Sequence, residues 1–206
     1  KKILEAGKFA STIFSLPPIS HGREKWVGPI QQLSLLTMKP VLYVLNTIAD
    51  PRRIDADTRG KELFEKAARY IEAMGSSWVI VNAQIETDLQ NMSEEEKTTF
   101  RKEFGVEDDG VNALIRAGYD LLGLMTYFTT GEDETRAWTI KKGWAAPEAG
   151  TAIHTDFKDK FIRAEVIYWK DLLDSGSYAK AREKGLVRTE GKEYIVKDGD
   201  VLEFKI

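Results

Sequence analysis

The stretch Gly110-Val111-Asn112-Ala113-Leu114-Ile115-Arg116-Ala117-Gly118-Tyr119-Asp120-Leu121-Leu122-Gly123, followed by Leu124-Met125-Thr126-Tyr127-Phe128-Thr129, changes period part-way. Before Gly123, Val111, Leu114, Ile115, Gly118, Leu121 and Leu122 recur at helical spacing, which predicts one helix over 110–122. After it the texture becomes short strands and turns, beginning with a strand over 125–129. A domain boundary is therefore expected at Gly123.

Downstream, residues 136–141 read as a strand, followed by a Gly/Ala/Pro loop and a short helix near 155–161. Residues 162–169 read as a strand and 170–185 as short helical pieces. Two closing strands, 193–197 and 201–205, are joined by Asp198-Gly199-Asp200, and an Asp-Gly pair between β-rich runs signals a hairpin. Upstream, Val41-Leu42-Tyr43-Val44-Leu45 is an unbroken apolar run, the pattern of a strand buried on both faces of a parallel sheet. Residues 57–74 are amphipathic, with Leu63, Phe64, Ala67, Ile71 and Met74 on one stripe and Gly75 as C-cap. Trp78-Val79-Ile80-Val81 is a second buried-strand candidate, completing a βαβ unit. Residues 93–104 read as a helix with Ser93 as N-cap and Glu96 as its capping-box partner. Residues 1–15 are weakly helical, and Pro17-Pro18 and Gly28-Pro29 make 16–29 a loop. The opening Lys1-Lys2-Ile3-Leu4-Glu5 reads as the end of a helix already under way, so the chain is expected to be cut from a longer one.

The 206 residues leave room for one large or two small domains with a real core. With 42% hydrophobic and 31% charged residues the composition is that of a soluble protein. A net charge of -3 argues against broad coating of nucleic acid or anionic membrane. The chain has no cysteine, which removes disulfides, thiolate metal sites and cysteine nucleophiles, and fits a cytoplasmic location. No apolar run reaches membrane-spanning length.

A family resemblance rests on particular strings. Leu35-Leu36-Thr37-Met38-Lys39-Pro40-Val41-Leu42-Tyr43-Val44 resembles the strand leading to the base-recognition motif of YchF-type Obg-like ATPases. Arg116-Ala117-Gly118-Tyr119 followed by Thr126-Tyr127-Phe128-Thr129 is similar to that family's entry into its TGS domain. Arg136-Ala137-Trp138-Thr139-Ile140, Ile153-His154-Thr155-Asp156-Phe157, Phe161-Ile162-Arg163-Ala164 and Tyr194-Ile195-Val196-Lys197-Asp198-Gly199-Asp200-Val201 continue the match in order. The likeness covers residues 33–206; residues 1–32 fit the family's helical insertion loosely.

The resemblance implies an α/β remnant of a P-loop NTPase domain, followed by an α+β TGS domain of ubiquitin-like β-grasp shape. Its division is residues 1–32 as the end of a helical insertion and loop, 33–123 as the C-terminal part of the nucleotide-binding domain, and 124–206 as the TGS domain. It implies ATP (or GTP) and Mg²⁺ as cofactors of the intact protein, a ribosome or ribosomal RNA partner, and a recognition role for the TGS domain. No cofactor is expected for this fragment alone. The missing N-terminal half, or another chain, is expected to cover the open sheet edge.

A P-loop needs G-x-x-x-x-G-K-[ST], so that backbone N–H groups and a lysine cradle the phosphates. None of the pairs Gly7-Lys8, Gly60-Lys61 and Gly191-Lys192 is followed by Ser or Thr. The chain alone is expected not to hydrolyse nucleotide. Asp57-Thr58-Arg59-Gly60 matches D-x-x-G but does not end a buried strand, so it reads as an accidental match. For the base, the family uses Asn-x-x-Glu; Asn46 matches, while Ala49 stands at the fourth position and Asp50 one step later. The second base-side loop, supplying backbone N–H donors, is Asn82-Ala83-Gln84. Asn46, Ala83 and Gln84 are thus the nucleotide-base candidates implied for the intact protein, although Asn at a strand end is also an ordinary turn residue.

Lys180, Arg182, Lys184 and Arg188 form a locally basic run that is either a solvated face or a contact for RNA phosphates. Lys141 and Lys142 stand beside Trp144 near a hairpin tip, where the indole either stacks on a base or folds over the sheet. His21 and His154 lack metal-ligand spacing; His154 reads as a turn brace before Thr155-Asp156. Glu94-Glu95-Glu96 reads as an acidic first helical turn, and Glu107-Asp108-Asp109-Gly110 as a loop into a helix; no metal site is expected. The leading functional expectation is the C-terminal portion of a ribosome-associated ATPase. The alternative is a stand-alone TGS adaptor that binds no nucleotide.

Overall fold

A computed structural model describes residues 32, 34–47, 58–103, 110–131 and 134–206. The readings made for residues 1–29, Ala49, Asp50, Asp57 and residues 107–109 lie outside them. The chain forms an α/β fold that divides into two compact units, Lys1–Leu121 and Leu122–Ile206.

In the first unit the described elements are a 3-10 turn (Leu36–Met38), β1 (Leu42–Asn46), α1 (Thr58–Ala73), β2 (Ser77–Val81), α2 (Ala83–Leu89), α3 (Glu94–Glu103) and α4 (Gly110–Leu122). β1 and β2 pair in parallel from Leu42↔Ser77 to Asn46↔Val81, the βαβ arrangement read from the apolar runs. α1 buries Ala68 and Ile71, and Phe64 meets Trp78 edge-on with ring centroids 5.4 Å apart. The capping box of α3 is formed: Ser93 Oγ accepts from the Glu96 N–H at 3.4 Å, and Glu96 Oε2 accepts from the Ser93 N–H at 2.8 Å. Glu86 of α2 accepts from the Gly110 N–H at 2.8 Å and ties down the start of α4.

Two expectations fail here. β1 is not buried on both faces: Val44 is 46% exposed, because each strand has a single partner among the described residues. Leu63, Val111 and Ile115, placed on buried stripes by their spacing, are also exposed. Helical period marks a face, and only a packing partner buries it.

The second unit is a five-stranded sheet in the order β4-β3-β7-β5-β6, built from β3 (Leu124–Thr130), β4 (Thr135–Lys141), β5 (Arg163–Tyr168), β6 (Arg188–Glu190) and β7 (Asp200–Lys205). β3 and β7 run parallel and the other pairs antiparallel. Side-chain alternation sends neighbouring residues to opposite faces. Tyr127, Val166 and Leu202 thus join one core, with Met125, Ile140, Ala164 and the helix α5 (Ala146–Gly150). Their neighbours Phe128, Ile167 and Val201 enter a smaller cluster under α7 (Trp169–Ser175) and α8 (Tyr178–Glu183), with Leu172, Tyr178 and Ala181. Phe204 anchors the larger core, edge-on to Tyr127, Phe157 and Phe161. The fully buried Tyr127 donates its hydroxyl to the Ala149 carbonyl at 3.0 Å.

The closing hairpin expected at Asp198-Gly199-Asp200 is absent. β7 pairs with β5 and β3, while residues 193–197 are irregular apart from an Ile195 bridge to Ala145. The turn's polar groups are taken by distant partners. Asp198 accepts from the Thr126 N–H at 2.8 Å, and the Gly199 N–H donates to Thr126 O at 2.9 Å. Asp200, itself buried, accepts from the Lys197 N–H and the Tyr194 hydroxyl. The Gly/Ala/Pro loop proves to contain α5, started by Pro147 where a missing N–H costs nothing. The helix read at 155–161 shrinks to α6 (Asp156–Asp159). His154 braces that turn, its Nδ1 accepting from the Asp156 N–H at 3.2 Å.

Candidate functional site

At the carboxyl ends of the parallel strands, two residues that are 37 positions apart meet. The Ala83 N–H donates to Asn46 Oδ1 at 3.1 Å, joining the end of β1 to the start of α2. Asn82 caps α2, its Oδ1 accepting from the Ile85 N–H at 3.0 Å. The segment 82–84, read as a loop, is therefore a helix start. A polar helix of seven residues gives little periodic signal, so only the Asn82 cap could have announced it.

The Ala83 donor is committed to Asn46. The Asn46 Nδ2 amide and the Gln84 backbone N–H have no acceptor among the described residues, whereas the Gln84 side chain bonds Asp88 at 3.0 Å. The carboxyl ends of strands in an open parallel sheet are where such folds receive ligands. The phosphates and Mg²⁺ are a different matter: no Gly-Lys pair has the P-loop form, and among the described residues no three His, Asp or Glu side chains converge as metal ligands. The described residues leave polar donors at the strand ends and do not fit the triphosphate-metal end.

The basic candidates divide by their partners. Arg182 of α8 binds Glu165, and its guanidinium lies 3.5 Å from Glu203. Glu165 and Glu203 face each other across β5 and β7, so Arg182 neutralises a pair of like charges that the sheet register sets opposite. The hydrogen bond from Arg182 holds the Glu165 carboxyl below the usual carboxylate range. Arg188 donates to the Tyr194 hydroxyl at 3.2 Å and sits 3.5 Å from Glu190. Burial, and then the Asp200 carboxylate, push the Tyr194 phenol up to about 12. Arg182 and Arg188 are thus structural cations of the sheet. Lys180 and Lys184 are exposed with no carboxylate partner among the described residues. Lys141, the last residue of β4, and Lys142 just after it are exposed, and Trp144 is partly buried against the larger core rather than open for stacking. Among the described residues of the second unit the exposed aromatics are Tyr168 and Trp169, at the β5–α7 junction, which the sequence reading did not single out.

The YchF-GTPase C-terminal family model, described as a protein of unknown function, matches residues 124–206. "Ribosome-binding ATPase YchF" of Bacillus subtilis (strain 168) is 48% identical over 176 residues, covering 85% of this chain and 47% of that protein. The chain is similar to the C-terminal part of YchF proteins. The protein of the same description from Escherichia coli O157:H7 is 44% identical over the same shares. The structure of the Schizosaccharomyces pombe YchF GTPase superposes with a TM-score of 0.76 at 31% identity, covering 98% of this chain and 51% of that one. The chain thus spans about half the length of the curated YchF relatives it matches, and corresponds to their C-terminal part. No helix among the described residues is long and apolar enough to cross a membrane.

Proposed function

We propose that this chain is the recognition end of a ribosome-associated, nucleotide-binding YchF ATPase, acting in the cytoplasm. Residues 33–123 supply the base side of the nucleotide site, and residues 124–206 are a TGS domain of β-grasp form that contacts the ribosome. The observation that carries this reading is the match, over 85% of the chain, to relatives described as ribosome-binding ATPases.

Two features of the structure support it. The order β4-β3-β7-β5-β6, with β3 and β7 parallel and the other pairs antiparallel, supports the β-grasp reading. The Asn46–Ala83 bond joins the two loops that the resemblance assigns to the base. In this reading Asn46 orders the base-side loops, and the Gln84 N–H donates to the purine ring. ATP or GTP with Mg²⁺ is held on its phosphate side by residues outside this chain, which supply the hydrolytic step. Lys180, Lys184 and Lys141 contribute cations toward ribosomal RNA. The purified chain therefore shows ATP turnover indistinguishable from a protein-free blank; turnover at rates of order one per second would overturn the assignment.

A further inference from the structure

One surface of the second unit is not used by any of these roles. β5 ends in Tyr168 and α7 begins at Trp169, and their rings lie 5.7 Å apart at a 52° tilt. Tyr168 is 42% exposed, Trp169 41%, and Leu173, one helical turn beyond Trp169, 68%. The spacing puts Trp169 and Leu173 on one side of α7, while Leu172 goes into the smaller core. The rings are seated rather than loose. A Cβ on Gly199 would lie 2.7 Å from Trp169 Cδ1 and 2.8 Å from Tyr168 Cε2. The turn beneath is pinned by the Trp169 N–H to Gly199 O and by the two bonds to Thr126.

Seated Trp and Tyr side chains are the composition of a protein-docking hot spot, since a rigid ring gives much contact area for little lost entropy, and the exposed leucine extends the apolar patch beside them. The charges on α7 indicate the kind of partner. Asp171 and Asp174 are exposed against the single Lys170, an excess of carboxylate that repels nucleic-acid phosphate and attracts cations. Leu173 adds apolar surface that offers no plane for a base.

We propose that Tyr168, Trp169 and Leu173 form a docking site for a protein surface that presents an apolar side chain flanked by lysine or arginine. Given the ribosome-binding reading on which this rests, that surface belongs to a basic ribosomal protein, and it is a contact separate from the lysines that face RNA.

The test uses the 206-residue chain and purified Bacillus subtilis ribosomes, with p-benzoylphenylalanine at position 173 for photocrosslinking. The expected product is a crosslink that survives ribonuclease and is destroyed by protease. The double variant Trp169→Ser, Leu173→Ser is expected to bind about tenfold more weakly or worse. Its circular dichroism should match the original chain, and Tyr168→Phe, which keeps the ring, should bind as the original does. A crosslink to ribosomal RNA or to a second copy of the chain overturns the proposal, as does undiminished binding by a folded double variant. If the unmodified chain fails to pellet with ribosomes, the ribosome reading itself falls, and this contact with it.

Discussion

Replacing Gly199 by Ala tests how the second unit is closed, and Gly185→Ala supplies its control. Both glycines hold a left-handed backbone, φ +82° and +69°. Around Gly185 a new Cβ meets nothing within 4 Å, whereas at Gly199 it meets the Trp169 and Tyr168 rings at 2.7 and 2.8 Å. The left-handed conformation costs a Cβ-bearing residue about 1–2 kcal/mol. The reduced freedom of the unfolded chain returns about 0.5 kcal/mol of that. Gly185→Ala should therefore cost about 1 kcal/mol. Gly199→Ala adds overpacking of about 1–3 kcal/mol, because both rings must leave their seat while the turn stays tied to Thr126. With a urea slope of about 2 kcal/mol per molar, the midpoints should fall by about 0.5 M and about 1–2 M. Urea titration followed by tryptophan fluorescence, with Trp138, Trp144 and Trp169 in this unit, measures both. Equal midpoints for the two variants would refute the seating of the aromatic pair on the turn.

Other substitutions probe the core and its charges. Tyr127→Phe leaves the buried Ala149 carbonyl without its 3.0 Å donor and should cost about 1 kcal/mol in the same titration; an unchanged midpoint would mean that the bond contributes nothing net. Glu165 has a lowered folded pKa, so its contribution to stability is present above the unfolded pKa and is lost as pH falls through the folded one. The melting temperature should accordingly decline on acidification through and below the ordinary glutamate range. Arg182→Ala should flatten that decline, since its hydrogen bond is the largest cause of the shift; an identical pH profile would remove Arg182 from the explanation.

What could be read from the sequence was what is decided locally. Ser93 and Glu96 stand three residues apart and form the capping box their types require. The apolar runs at 41–45 and 78–81 were readable as paired strands because β-branched and aromatic residues crowd into few positions. What was missed depends on distant partners. Asp198-Gly199 carries the local signature of a hairpin, but Thr126, 72 residues away from Asp198, takes its hydrogen bonds. α5 is five residues of Ala, Pro, Glu and Gly, too short for any period. For the candidate site, the family resemblance nominated Asn46 and Ala83 separately, and only the fold revealed the bond between them. Charge counting grouped Arg182 with Lys180 and Lys184, although Glu165, 17 residues earlier, already holds it. Composition likewise could not tell the packed Trp144 from the exposed Trp169, because the difference lies in which element covers each ring.

The most direct measurement of the central claim is cosedimentation of the purified 206-residue chain with Bacillus subtilis ribosomes through a sucrose cushion. Saturable pelleting that weakens as salt is raised is the predicted result. A chain that is folded by circular dichroism yet stays in the supernatant at micromolar ribosome concentration would contradict it.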